Sequence, residues 1–167
     1  MVARRSPAIT TPPPGTAQSG IAMAPATVVQ LQDASGNAVS TSGTNIVAAL
    51  VSGGGTLSGT LTVPTVAGGV STFGNLVLTG TIGPRTIRFT SGSLAPDTSA
   101  VITLVAGNAA AVAFVQEPSV VTAGAAITPS PSVRVQDGAG NLVTTPAQTV
   151  VLSISTNPGG ATLSGAT

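Results

Sequence analysis

Val29-Gln30-Leu31-Gln32-Asp33-Ala34-Ser35-Gly36-Asn37-Ala38-Val39 recurs 104 residues later as Val133-Arg134-Val135-Gln136-Asp137-Gly138-Ala139-Gly140-Asn141-Leu142-Val143, with six of eleven positions identical. The same offset pairs Gly20 with Gly124 and Pro25 with Pro129, and sets Ile46-x-Ala48-x-Leu50 against Val150-x-Leu152-x-Ile154. A two-residue insertion near Asn157-Pro158 then brings Thr56-Leu57-Ser58-Gly59 onto Thr162-Leu163-Ser164-Gly165. Matches in order, at an offset that shifts only by the two-residue insertion, mark a tandem repeat. A period of 104 residues is too long for a solenoid and fits a β-sandwich domain of about 100 residues. The expected organisation is a disordered or extended segment over residues 1–8, a complete sandwich over 9–106, and a second repeat over 107–167 of which about half is present. Gly107-Asn108-Ala109-Ala110 reads as the joint, too short for a flexible linker.

Two copies of one pattern also set its phase. Positions 46, 48 and 50 are apolar in both copies, whereas 47, 49 and 51 face Val, Ser and Ser in the second. A period of two is that of a strand with one face buried. Ile46, Ala48 and Leu50 are therefore expected in the core, together with Val29 and Leu31, and Val133 and Val135. Gln30, Gln32, Arg134 and Gln136 are expected outside. Further runs at 61–66, 70–73, 76–78, 86–90 and 100–105 are bounded by Gly, Pro, Asn or Ser clusters, and 86–90 places Ile87 and Phe89 inside with Arg88 outside. Short strands between regular turn signals, about seven in the first repeat, describe an all-β sandwich. No stretch offers a capped amphipathic helix of useful length.

The Asp-x-x-Gly-Asn segments at 33–37 and 137–141 have the chemistry of a tight turn. The carboxylate accepts from N–H groups two residues on, while Gly and Asn tolerate positive φ. Oxygen-rich loops also hold calcium, which makes Asp33, Asn37, Asp137 and Asn141 weak metal candidates. Calcium takes six to eight oxygen ligands, several of them charged, and each turn has one carboxylate. The structural turn is the preferred reading, and no cofactor is expected.

Composition removes most chemistry. The chain has no Cys, His, Trp, Tyr or Lys, and its ionisable side chains are five Arg and four acids, for a net charge of +1. Asp33, Asp97, Asp137 and Glu117 lie singly along the chain, with none of the His, Lys, Tyr or Cys groups that usually share proton transfer. Zinc lacks thiolate and imidazole ligands, and Ser or Thr lacks a His or Lys to activate it. A non-enzyme is expected. Nucleic-acid binding calls for clustered cations and stacking aromatics. Only Arg4-Arg5 and the pair Arg85 and Arg88 approach that, and both pairs are expected as solvated charge. After Met1-Val2-Ala3-Arg4-Arg5-Ser6-Pro7 comes Pro12-Pro13-Pro14-Gly15 instead of an apolar run. Neither a signal peptide nor membrane insertion is expected within these residues, so an export signal would lie elsewhere.

The motifs resemble those of bacterial immunoglobulin-like tandem repeats of large surface and secreted proteins. The pattern opens on Phe114-Val115-Gln116-Glu117-Pro118-Ser119 and continues through Ala123-Gly124, Pro129 and the Asp-x-x-Gly-Asn turn. Leu-Ser-Gly, Gly69-Val70-Ser71-Thr72-Phe73-Gly74-Asn75-Leu76 and Pro84-Arg85-Thr86-Ile87-Arg88-Phe89-Thr90 complete it. The first copy departs at its opening, Thr10-Thr11-Pro12-Pro13-Pro14, which lacks the Phe. The resemblance implies an immunoglobulin-like β-sandwich, one complete domain plus the N-terminal part of a second copy. It also implies a non-catalytic spacer or stalk module, adhesin-like, at the cell surface or outside the cell. Its partners would be neighbouring immunoglobulin-like repeats or identical subunits. Two alternatives stay open: a subunit of an extracellular filament built by strand complementation between subunits, and an immunoglobulin-like protein of a phage virion surface.

Overall fold

In the strand Thr27–Gln32 every second side chain, Thr27, Val29 and Leu31, is buried, and the residues between them reach solvent. That alternation recurs through a computed structural model of the chain, which describes residues 6–165. Its strands are β1 (Ser6–Thr11), β2 (Thr16–Gln18), β3 (Thr27–Gln32), β4 (Asn45–Ser52), β5 (Thr56–Ser58), β6 (Thr62–Pro64) and β7 (Val70–Phe73). They continue as β8 (Val77–Thr79), β9 (Gly83–Thr90), β10 (Asp97–Thr98), β11 (Ile102–Val105), β12 (Ala111–Gln116) and β13 (Ser132–Gln136). Residues 1–5 of the expected N-terminal segment lie outside the described residues, as does the Arg4-Arg5 pair; Ser6–Ala8 belong to β1.

One sheet orders its strands β1-β3-β7 and the other β2-β11-β9-β4-β6, with β10 along β9 and a short β5-β8 ladder beside them. Their inner faces meet in one core. Val29, Leu31 and Phe73 come from the first sheet, and Ala17, Ile46, Ala48, Ile87, Phe89, Ile102 and Leu104 from the second. Phe73 and Phe89 join the layers edge to face, with ring centroids 5.1 Å apart and planes at 61°. That geometry suits the ring quadrupoles and adds about 0.5–1.5 kcal/mol beyond area burial. The protein is thus an all-β sandwich. Short strands such as β2, β5 and β10 raise the number above the seven or so that the sequence suggests, because two or three residues show no readable alternation.

The chain changes sheets at its start. β1 pairs antiparallel with β3, Pro12–Pro14 and Gly15 follow, and β2 then pairs parallel with β11 through Thr16↔Thr103, Ala17↔Leu104 and Gln18↔Val105. Proline has no N–H for a ladder, so three in a row release the chain from the first sheet. The Ile9 N–H donates to Asp97 Oδ2 (2.8 Å) beside Phe89, near the end of β9, while Gln18 lies level with Val105. β1 and β2 therefore travel the length of the sandwich, and β11 runs parallel to β2. The chain comes in at one pole and leaves at the other.

Residues 111–136 pair as residues 6–32 do. β12 pairs with β13 as β1 does with β3, and each ladder has a bulge, between Ile9 and Thr11 in one and Phe114 and Gln116 in the other. Ile9 thus stands where the second copy has Phe114. Pro25 and Pro129 both follow a cis peptide. Beyond β13, residues 147–156 form no strand. In the first repeat the equivalent β4 is held between β6 and β9, and residues matching β6 onward do not occur within this sequence. Val133, expected inside by analogy with Val29, is exposed for the same reason: nothing stands opposite it.

Candidate functional site

The two Asp turns are built by the same bonds. Asp33 Oδ1 accepts the N–H of Ser35 (2.9 Å) and of Asn37 (2.9 Å), and Oδ2 accepts Asn37 Nδ2 (3.1 Å). Asp137 Oδ1 accepts the N–H of Ala139 (2.9 Å) and of Asn141 (2.9 Å), and Oδ2 accepts Asn141 Nδ2 (2.8 Å). Gly36 and Gly140 occupy the fourth position at φ 83° and 82°, a left-handed conformation that glycine adopts at no steric cost. These bonds favour the ionised carboxylate and hold Asp33 below the ordinary Asp range, the Asn37 N–H contributing most.

Surroundings separate them. Asp33 is partly exposed and Asn37 exposed, whereas Asp137 and Asn141 are only 4% and 7% exposed. The second turn is pressed against the outgoing pole of the first repeat. Asp137 Oδ2 also accepts the Gly107 N–H (2.7 Å), Asn141 Oδ1 accepts the Ile82 N–H (3.0 Å), and Asn141 Nδ2 donates to the Gly80 carbonyl (2.9 Å). Burial works to raise the Asp137 pKa, and is outweighed by the bonds from the Asn141 side chain, Gly107, the Asn141 backbone and Ala139, so the carboxyl lies below its ordinary range. Gly107 is the point of closest approach. A Cβ there would stand 2.4 Å from the Ser19 carbonyl oxygen and 3.3 Å from Asp137 Oδ2.

The receiving pole is itself braced. Ser19 Oγ donates to the Gly80 carbonyl (3.4 Å), and the Gly20 N–H to the Leu78 carbonyl (2.8 Å). Arg85, expected to be solvated with Arg88, is instead buried at 2% exposure, while Arg88 is exposed. The correction follows from strand parity, since residues 85, 87 and 89 share the inward face of β9. At the end of that strand the guanidinium donates to the carbonyls of Pro84 and Thr81. It thereby pins the Gly80–Gly83 turn that meets Asn141, and its Nε is buried without a partner. Beside the clamp is a cleft of about 550 Å³, with Gln18, Ile82 and Leu104 on one side and Leu142, Thr144 and Thr145 on the other.

The four carboxylates are not brought together. Asp97 accepts the N–H groups of Ile9 and Thr98, and no group of three His, Cys, Asp or Glu side chains forms among the described residues. The calcium candidates divide between the two turns, Asp33 with Asn37 and Asp137 with Asn141. Gly80, Ile82 and Arg85, which the sequence does not single out for the joint, are united there only by the fold. Strand parity at Arg85 is the one signal that could have pointed inward. No described helix is long and apolar enough to cross a membrane.

No family model matches the chain, and no curated protein matches it. Among solved structures, that of the surface layer protein SbsC, domains 4-9, aligns with 86% of this chain at 17% identity and a TM-score of 0.39. The chain spans about a fifth of that structure's length, 22%.

Proposed function

We propose that this chain belongs to a non-catalytic, head-to-tail array of immunoglobulin-like repeats, a spacer or stalk in a bacterial surface or secreted protein. The observation that carries this is the joint. Asp137 and Asn141 make three bonds there, one to Gly107 in the connecting segment and two across to Ile82 and Gly80, at the pole opposite the one where the chain came in. An interface of that kind adds length with each repeat and resists bending, and it uses no chemistry beyond hydrogen bonds. The absence of His, Cys, Lys and Tyr fits a structural role, since fold and function are argued separately and no reactive constellation is present among the described residues.

Asn141→Ala tests the reading. It removes the bonds to Ile82 and Gly80 and the side-chain bond to Asp137, so the two repeats should reorient independently in ¹⁵N relaxation, whereas the parent chain tumbles as one body. Independent tumbling of the parent would refute a rigid spacer.

A second reading has its own observation. Val150, Leu152 and Ile154, which match core positions of β4, are 39%, 36% and 41% exposed. Strands from an identical subunit could cover them, giving a filament by strand complementation. Light scattering over a concentration series separates the two: growth with concentration favours the filament, and a constant monomer mass removes it.

A further inference from the structure

The first repeat has the same turn as the second, bond for bond, but among the described residues its Asp33 and Asn37 side chains bond only within the turn. In the second repeat the equivalent atoms hold a neighbouring domain. The turn also stands at the equivalent place, at the incoming pole, where Gln32 pairs with Ser6.

We propose that the Asp33–Asn37 turn is the open half of a second joint, a docking surface for the outgoing pole of another copy of this same repeat. Asn37 Oδ1 takes the N–H of that copy's Ile82, Asn37 Nδ2 gives to its Gly80 carbonyl, and Asp33 Oδ2 accepts the N–H of its Gly107. The occupant is named by continuity with the joint already present. The donor, acceptor and donor of the outgoing pole are backbone groups fixed by the Arg85-braced turn and by the end of β11, and each copy of the pole presents them in the same order. The rim matches in kind. Ser40 and Thr41 stand where Thr144 and Thr145 line the cleft, and Ala38 stands in place of Leu142. The smaller Ala38 makes this second joint less apolar than the first.

The inference rests on the head-to-tail reading above, and one chain tests both separately. A copy of residues 1–110 is placed directly before Ser6 of the chain running to Thr167, which reproduces the Ala110–Ala111 junction. Two Ile82 amides are then followed by hydrogen exchange, one facing Asn37 and the other facing Asn141. Docking slows both by roughly two- to tenfold relative to an open joint. Asn37→Ala in the second unit should abolish the slowing at the upstream Ile82 alone, and Asn141→Ala at the downstream Ile82 alone. The Ile87 and Phe89 amides report that every sandwich stays folded, and Asp33→Ala provides a second variant with the same expectation. An upstream Ile82 that exchanges at the open rate in the parent, or is indifferent to both variants, overturns the inference while leaving the downstream joint standing. Indifference of the downstream amide to Asn141→Ala overturns the head-to-tail reading itself.

Discussion

Asp137 accepts four N–H bonds on two oxygens, three from its own turn and one from Gly107 in the connecting segment. Its carboxyl is held below the ordinary range, and the sign of the pH dependence follows. A lowered folded pKa adds stability that is complete above the unfolded Asp value of about 3.9 and is lost as pH falls through the folded value. The Gly107 amide shift should therefore titrate in NMR only below the unfolded Asp value of about 3.9, and Asp137→Asn should flatten it. A flat profile in the parent chain would mean that the bond does not form. Asp33 is lowered as well, and since its bonds among the described residues stay within the turn, acid on this chain alone loosens only that turn. Arg85 shows a different residue-scale balance. Its buried guanidinium has backbone carbonyls for partners, so it steadies the Gly80–Gly83 turn without an ion pair.

At the scale of the element, Ile46 and Val150 make a controlled comparison, the same aligned position with and without a sheet opposite. Ile46 is fully buried in β4, and Ile46→Ala should cost about 2–5 kcal/mol in denaturant unfolding. Val150→Ala should fall within about 0.5 kcal/mol of the parent. Similar losses at both positions would show that the second repeat is packed. The contrast also explains what could be read from the sequence. The inward phase of β3, β4 and β9 was legible because alternation is local, and at β3 and β4 comparing two copies removed its ambiguity. The openness of residues 147–156 was not, because strand identity there depends on partners elsewhere in the fold. The turns could be recognised from Asp, Gly and Asn at fixed spacing, but the role of the second turn as a clamp could not. Its partners at Gly80, Ile82 and Gly107 are backbone groups, and backbone groups leave no residue signature.

For the whole molecule, the decisive property is that the chain comes in and leaves at opposite poles. The thirteen residues from Ser6 to Gln18 cover the length of the sandwich, about 40 Å at 3.2–3.4 Å per strand residue. An array of such units would grow by about that length per repeat, and its direction would be set by the Asp137 type of clamp. The parallel pairing of β2 with β11 bears on what happens when such an array is stretched. Tension on the two ends draws β2 toward one pole and β11 toward the other, so the strands slide past each other instead of peeling apart. The bonds from Thr103 N–H to Gly15 carbonyl (2.9 Å) and from Ser19 N–H to Val105 carbonyl (3.0 Å), with the ladder between them, must then break together. Single-molecule pulling on the ends should meet one high rupture force at this strand pair, and Ala17→Pro, which deletes an N–H between the two bonds, should lower it. The same pull applied across the antiparallel β4 and β6, whose ladder would unzip bond by bond, should meet far less resistance.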